Sequence, residues 1–277
     1  MSKDPWLKIT LVNEGINGDI LSAWLNIYEV DSLQFLEDRI DIYIQTHQKE
    51  DVIDVLTNKI GIASDKIHTE AFKNQNWNAV WESNFQAVQI DSLYLRAKFH
   101  QPAPKDCEEI IILPKMAFGT GHHDTTYLMM AQINKMDLAN KDILDYGCGT
   151  GILSILPLKR ECKSLLAIDI QPEAVENTIE HFEANQCPSE LYKVEMGDLD
   201  LVEGIDFNII LANINRHVLI QNASRLFDLT RKDGIVLCSG ILKEDRTLMV
   251  ETFSTAGFEI SDIQSKGEWL LIILKKT

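Results

Sequence analysis

The residues best suited to chemistry are Asp145-Tyr146-Gly147-Cys148-Gly149-Thr150-Gly151, set between an apolar run and a helix-forming one. Glycines at this spacing let the backbone turn sharply and approach a ligand closely, and the N–H groups of the following helix point at whatever lies above. About 20 residues further on, Asp169 ends the next apolar run, where open α/β folds place a carboxylate on ribose hydroxyls. The dinucleotide fingerprint G-x-G-x-x-G would need a glycine at 152, and the residue there is Ile152. The closer third glycine suits a nucleoside ligand without phosphate, whose amino-acid part lies over the loop.

His122-His123-Asp124 has no second cluster at ligand spacing, so no metal is expected. Cys148 has no histidine paired with it in sequence and is expected as a small packed residue. Asp198, after Gly197, is a candidate for the amine of a bound base or a solvated loop acid. Trp77 and Trp81 at i, i+4 are expected to pack on a domain face.

The elements that must position these groups fall into two sets. Up to residue 72 the chain reads as β-α-β-β-α-β. Trp6–Val12 alternates like a strand, and a helix runs through Ile20, Leu21, Trp24 and Leu25, capped by Asn17 or Asp19. Strands follow at Leu33–Glu37 and Ile40–Ile44, then a helix over Asp51–Ile60 stopped by Gly61, then an extended segment Lys66–Phe72. That order is the split βαβ, ferredoxin-like unit. Asn74-Gln75-Asn76-Trp77-Asn78 is polar and turn-rich, which gives domains at 1–72 and 81–277 joined by a linker at 73–80. Beyond Pro114, strands (Ile143–Tyr146, Ser164–Asp169, Phe207–Ala212, Gly234–Ser239) alternate with helices (Ile152–Leu158, Glu173–Ala184), the pattern of a parallel sheet covered on both faces. Two antiparallel strands, Phe258–Ile263 and Trp269–Lys275, close the chain. The fold class is therefore α/β, a Rossmann-like sheet with a terminal β-hairpin, preceded by a small α+β domain.

Composition sets outer limits. The 277 residues are 45% hydrophobic and 25% charged, as in an ordinary folded chain. Twenty-six Lys and Arg against 42 Asp and Glu leave a net charge of −16. Phosphate backbones repel such a chain, which argues against direct nucleic-acid binding. No apolar run approaches the roughly 20 residues of a membrane span, and the start lacks a signal-peptide pattern. Five scattered cysteines without C-x-x-C spacing fit neither a disulfide framework nor a zinc knuckle. A soluble, cytoplasmic protein, monomeric, is expected.

The G-x-G-x-G spacing after Asp145, with the terminal hairpin, resembles the class I S-adenosylmethionine-dependent methyltransferases. Two further segments narrow the resemblance. Phe118-Gly119-Thr120-Gly121-His122-His123-Asp124-Thr125-Thr126 and Ala212-Asn213-Ile214 are similar to motifs of the PrmA family, which methylates ribosomal protein L11. The family usually has threonine where His122 stands, and small residues with a proline where this chain has Asn215-Arg216-His217-Val218.

The resemblance implies S-adenosylmethionine as cofactor, contacted by Thr126, Gly147, Asp169 and Asn213. It implies methylation of lysine side chains of L11, with the N-terminal amine as a further acceptor, and a docking role for the small first domain. The nearest alternative is methylation of another protein or of a small-molecule amine. A nicotinamide-type oxidoreductase is disfavoured by Ile152. A non-catalytic cofactor sensor is disfavoured by the intact loop and Asn213. No general base is evident, so no catalytic side chain is assigned.

The acidic balance makes a prediction on this reading. Charge steering toward a basic protein substrate contributes about 10-fold or more to association and is screened beyond about 8 Å at physiological ionic strength. Raising salt should therefore lower kcat/KM for the intact protein substrate more steeply than for a short lysine peptide. Equal slopes in a salt series would remove the steering argument.

Overall fold

The structure is a computed structural model and describes residues 6–12, 16, 21, 25, 30–35, 38–72, 86–113, 123–202 and 204–277. Two compact units divide the chain, Met1–Phe85 and Gln86–Thr277. Asn17, Asp19, Ile20, Trp24, Trp77, Trp81 and Phe118–His122, together with the expected linker 73–80, lie outside the described residues.

The first unit contains strands β1 (Trp6–Val12), β2 (Val30–Phe35), β3 (Arg39–Gln45) and β4 (Ile67–Phe72), and helix α1 (Lys49–Asp54). Leu21 and Leu25 are helical. The sheet order is β2-β3-β1-β4 with every neighbouring pair antiparallel. This is the ferredoxin-like arrangement. Alternation along β1 buries Leu7, Ile9 and Leu11 against Ile40, Ile42 and Ile44 of β3, and Leu21, Leu25, Val52 and Leu56 cover that face. The helix expected over Asp51–Ile60 is α1 continued by one π turn, Val55–Lys59, before Gly61 at φ +83°.

The second unit opens with a small sheet that the sequence reading did not anticipate. Strands β5 (Val88–Ile90), β6 (Leu93–Ala97) and β7 (Glu108–Ile112) are short and partly polar. Helix α2 (Asp124–Ile133) follows. The main layer then runs β8 (Asp142–Tyr146), α3 (Ile152–Lys159), β9 (Ser164–Asp169), α4 (Pro172–Ala184), β10 (Tyr192–Met196) and β11 (Phe207–Asn213). It finishes with α5 (Arg216–Gln221), α6 (Ala223–Leu229), β12 (Thr230–Leu242), α7 (Arg246–Ala256), β13 (Glu259–Lys266) and β14 (Trp269–Lys275).

The sheet order is β10-β9-β8-β11-β12-β14-β13. All pairs are parallel except those made by β14, which is antiparallel to both neighbours. Helices on both faces bury every residue of β8, including the two acids Asp142 and Asp145. The order reverses direction between β8, which continues outward to β9, and β11, which continues to β12. In open α/β sheets ligands bind at this switch point, outside the carboxyl ends of the strands. The glycine loop leaves β8 there.

β12 is longer than the six residues expected, running from Thr230 to Leu242 with a register shift between Cys238 and Ile241. The hairpin β13–β14 turns through Gly267, at φ +54°. The small sheet is fastened to α4 by two side chains. Asn185 accepts from the Ile111 amide at 2.7 Å and donates to the Ile111 carbonyl at 2.8 Å, and His181 Nε2 accepts from the Leu113 amide at 3.0 Å. Asn185 is 7% exposed, so its loss strands both Ile111 groups away from water. Asn185→Ala should lower stability by about 1–3 kcal/mol, read as a fall in the urea midpoint with an unchanged slope.

Candidate functional site

The site grows from the end of β8. Gly147, Gly149 and Gly151 all have positive φ (70°, 58° and 71°). Two of them are held close to packed neighbours. A Cβ on Gly147 would stand 2.2 Å from Ile214 Cγ2, and one on Gly151 would stand 2.8 Å from Thr178 Cγ2 and 3.0 Å from Phe182 Cε1. Gly149 differs, because nothing lies within 4 Å of its Cβ position. That open side leaves room for a ligand against the loop.

Asp169 ends β9 beside this loop and is tied to it. Its Oδ2 accepts from the Gly149 amide at 3.0 Å and its Oδ1 from the Gln171 amide at 3.0 Å. The carboxylate expected at the ribose therefore also sets the loop's shape. Beyond it, Ile170 and Met196 at the ends of β9 and β10 are 69% and 59% exposed, an apolar rim of the kind a flat base covers. Asp198 is an anchor. Its Oδ1 accepts from the Tyr146 hydroxyl at 2.7 Å and from the Leu199 amide at 2.7 Å. Burial and this acidic partner push the Tyr146 hydroxyl well above the usual phenol range.

Thr126 lies in the first turn of α2, whose N-cap is His123. The His123 ring accepts from the Thr125 amide at 3.3 Å and meets Trp269 edge-on at 4.9 Å. Asp124, next in the turn, pairs with Lys266 at 3.2 Å, so the terminal hairpin braces the start of α2. Asn213 ends β11. The following Asn215 caps α5, its side chain accepting from the His217 amide at 2.9 Å.

Among the described residues, the buried side-chain polar atoms without a hydrogen-bond partner are Thr126 Oγ1, Asn213 Oδ1 and Asp245 Oδ2. Buried polar groups are rarely left unpaired, and each such group costs about 1–3 kcal/mol. Two of these atoms belong to residues singled out in the sequence for contact with a cofactor.

Family comparison agrees with the geometry. The family described as "Ribosomal protein L11 methyltransferase (PrmA)" matches residues 22–277. The chain belongs to the PrmA family. Two of its relatives named ribosomal protein L11 methyltransferase quantify the likeness. The one from Porphyromonas gingivalis is 40% identical over 197 residues, 70% of this chain and 67% of the relative. The one from Phocaeicola vulgatus is 32% identical over 266 residues, 94% of each chain. A crystal structure of ribosomal protein L11 methylase from Lactobacillus delbrueckii subsp. bulgaricus superposes with a TM-score of 0.64 at 27% identity, covering 70% of this chain and all of that one. The PrmA chain is thus an α/β protein of the class I S-adenosylmethionine-dependent methyltransferase fold.

Within this PrmA fold, Cys148 is 6% exposed and takes a hydrogen bond from Thr178 Oγ1 at 3.3 Å. Burial pushes its thiol far above the ordinary value, as for a small packed residue. A pocket of about 260 Å³ lined by Lys141, Asn208, Ile209, Asp233 and Ile235 sits at the amino-terminal ends of β8, β11 and β12, the end away from the glycine loop.

Asp145 is the site's buried acid. It is 1% exposed, it accepts a hydrogen bond from Ser154 Oγ at Oδ2 (2.6 Å), and burial raises its carboxyl to about 7. The nearby Asp169 pushes in the same direction. The unfolded chain releases this proton near pH 3.9, whereas the native state keeps it to about pH 7. The stabilisation is complete below about pH 4 and is lost as pH rises through 7. Between pH 5 and pH 8 the protein should lose roughly 3 kcal/mol through this group. Asp145→Asn should flatten that slope in denaturant titrations at the two pH values; an identical slope would assign the pH dependence elsewhere.

Proposed function

We propose that this chain binds S-adenosylmethionine at the carboxyl edge of β8, β9 and β11 and methylates amino groups of ribosomal protein L11. The observation that carries the reading is the pair of unpartnered buried atoms, Thr126 Oγ1 and Asn213 Oδ1, on the two segments that flank the glycine loop. The residues present fit the cofactor. Asp169 offers a carboxylate beside the loop, Gly149 leaves open space against the backbone while Gly147 lets the loop turn over Ile214, and Thr126 supplies a hydroxyl for the methionine end. Lysine side chains are the expected acceptors, with the N-terminal amine as a further one.

When bound, S-adenosylmethionine supplies a methyl group already activated on a sulfonium. The chain's own contribution is alignment, which can supply about 7–11 kcal/mol of such a barrier. Asn213 Oδ1, at a strand end and free of any internal partner, accepts from the incoming amine and turns its lone pair toward the cofactor side. The amine must be neutral to react, and a lysine begins near pKa 10.4. Desolvation between the loop and Asn213 disfavours the ammonium. No side chain in the sequence motifs is an obvious general base, so the released proton goes to water.

The first unit serves as the docking module for the protein substrate. Its ferredoxin-like core is complete within Met1–Phe85, and the cofactor residues all lie in Gln86–Thr277. The net charge of −16 complements a basic ribosomal protein, and the same charge disfavours nucleic acid as the direct target. The protein works as a monomer in the cytoplasm on this reading.

The test is direct. Purified protein incubated with labelled S-adenosylmethionine and L11 should label L11. Asp169→Ala should weaken cofactor binding at least 10-fold by calorimetry, since hydrogen bonds to a charged acceptor contribute about 1.5–3 kcal/mol each. Unlabelled L11 beside another labelled band in a ribosomal-protein extract would redirect the substrate and leave the methyltransferase assignment in place.

A further inference from the structure

Two features remain outside the cofactor reading. One is the third unpartnered atom, Asp245 Oδ2; the other is the departure Asn215-Arg216-His217 after the A-N-I motif. The structure joins them. Asp245 closes the short turn Lys243–Asp245 that follows β12, and Arg216 opens α5, three residues after Asn213. Arg216 Nη1 pairs with Asp245 Oδ1. Asp245 is 8% exposed, so the carboxylate is more than nine-tenths buried, with one oxygen engaged and the other bare.

The pair lies on the same rim as Asn213. β11 and β12 are parallel neighbours, with Asn213 opposite Ser239. Beyond that point, Gly240 at φ +83° brings the β12 backbone against Ile214, and a Cβ there would stand 2.3 Å from the Ile214 carbonyl oxygen. The segment bearing Asn213 and the segment bearing Asp245 are therefore held together first by backbone contact and then by the ion pair.

A charged buried oxygen without a donor is costly and persists where a ligand completes it. The carboxylate is an acceptor only. The Arg216 side chain is about a third exposed, whereas that of Asp245 is 9% exposed. Its partner must be a donor, and a cationic one gains most.

We propose that Asp245, oriented by Arg216, is a recognition site for the acceptor amine: its free Oδ2 receives an N–H of the substrate ammonium as it docks, before that amine gives up its proton and reacts beside Asn213. Arg216 is the positioning residue. It holds Oδ1 and so presents Oδ2. This inference rests on the proposed amine methylation and assigns the group that distinguishes a primary amine from an uncharged acceptor.

Four proteins test it: wild type, Asp245→Asn, Arg216→Lys and Arg216→Ala. Each is titrated with S-adenosylmethionine alone. Each is then loaded with S-adenosylhomocysteine and titrated with L11 or with L11 chemically acetylated at its amines. Methylation kinetics on L11 are run in parallel.

Asp245→Asn should raise KM for L11 at least 10-fold while cofactor affinity stays within twofold. The same substitution should weaken L11 binding but leave the acetylated protein unchanged. Arg216→Lys, which keeps the charge, should restore most of the affinity that Arg216→Ala loses. A role confined to packing would instead weaken both forms of L11 and the cofactor together, and that outcome overturns the proposal. An unchanged KM in a folded Asp245→Asn protein also overturns it while leaving L11 methylation standing. Absence of wild-type turnover on L11 would instead refute the functional reading on which the inference rests, and the inference with it.

Discussion

Everything at the site depends on how Ile214 is seated. Its side chain fills the space where Gly147 would carry a Cβ, and its carbonyl fills the space where Gly240 would carry one, with clearances of 2.2 and 2.3 Å. A side chain at either glycine would strike it, and each glycine also has a positive φ (70° and 83°) that other residues rarely adopt. The glycine loop, the end of β11 and the extension of β12 are thus locked into one assembly through a single residue. Asn213 precedes that residue and Arg216 follows it closely, so the groups assigned to the amine inherit their positions from this contact.

The second organising feature is polar economy. The fold spends its hydrogen-bonding groups carefully. Tyr146 joins Asp198 and Asn222, with the Asn222 amide donating to its hydroxyl at 3.2 Å, and Asp142 gathers Lys163, Ser164 and Arg231 at 2.7–3.1 Å. Against that background the bare atoms at Thr126, Asn213 and Asp245 stand out, and they lie on α2, at the end of β11 and just past β12. A binding site must keep some acceptors free, and the cost is carried by the packing around them. Asp145 is a further polar group shaped by its surroundings, a carboxyl whose pKa burial at the head of the loop raises to about 7.

The terminal hairpin has a structural task of its own. Antiparallel β14 sits between β12 and β13, and it carries Trp269 against His123, while Lys266 reaches Asp124 and lies 4.8 Å over the Tyr127 ring. The first turn of α2, with Thr126 in it, is therefore set by residues more than 130 positions further along the chain. A Cβ on Gly267 would meet Asp124 Oδ2 at 2.4 Å, which explains a glycine in that turn beyond its φ of +54°.

Much was legible in the sequence because local chemistry is strong there. The apolar runs Ile143–Leu144, Leu165–Ile168 and Ile209–Ala212 in β8, β9 and β11 are largely buried and so announce themselves, and the glycine loop has a spacing that few other backbones require. The split βαβ order of the first unit followed from alternation and turn residues alone, as did Asp169 at a strand end. The short strands β5–β7 were not legible, since runs of three to five residues carry too little periodicity and are held by Asn185 and His181 from a distant helix. The length of β12 and the π turn after α1 were likewise decided by pairing and packing rather than propensity. Asp245 left no mark in the sequence at all, because an acid after a strand is ordinary. Only the tertiary structure shows that one of its oxygens is buried without a donor, since that depends on which surfaces close around it.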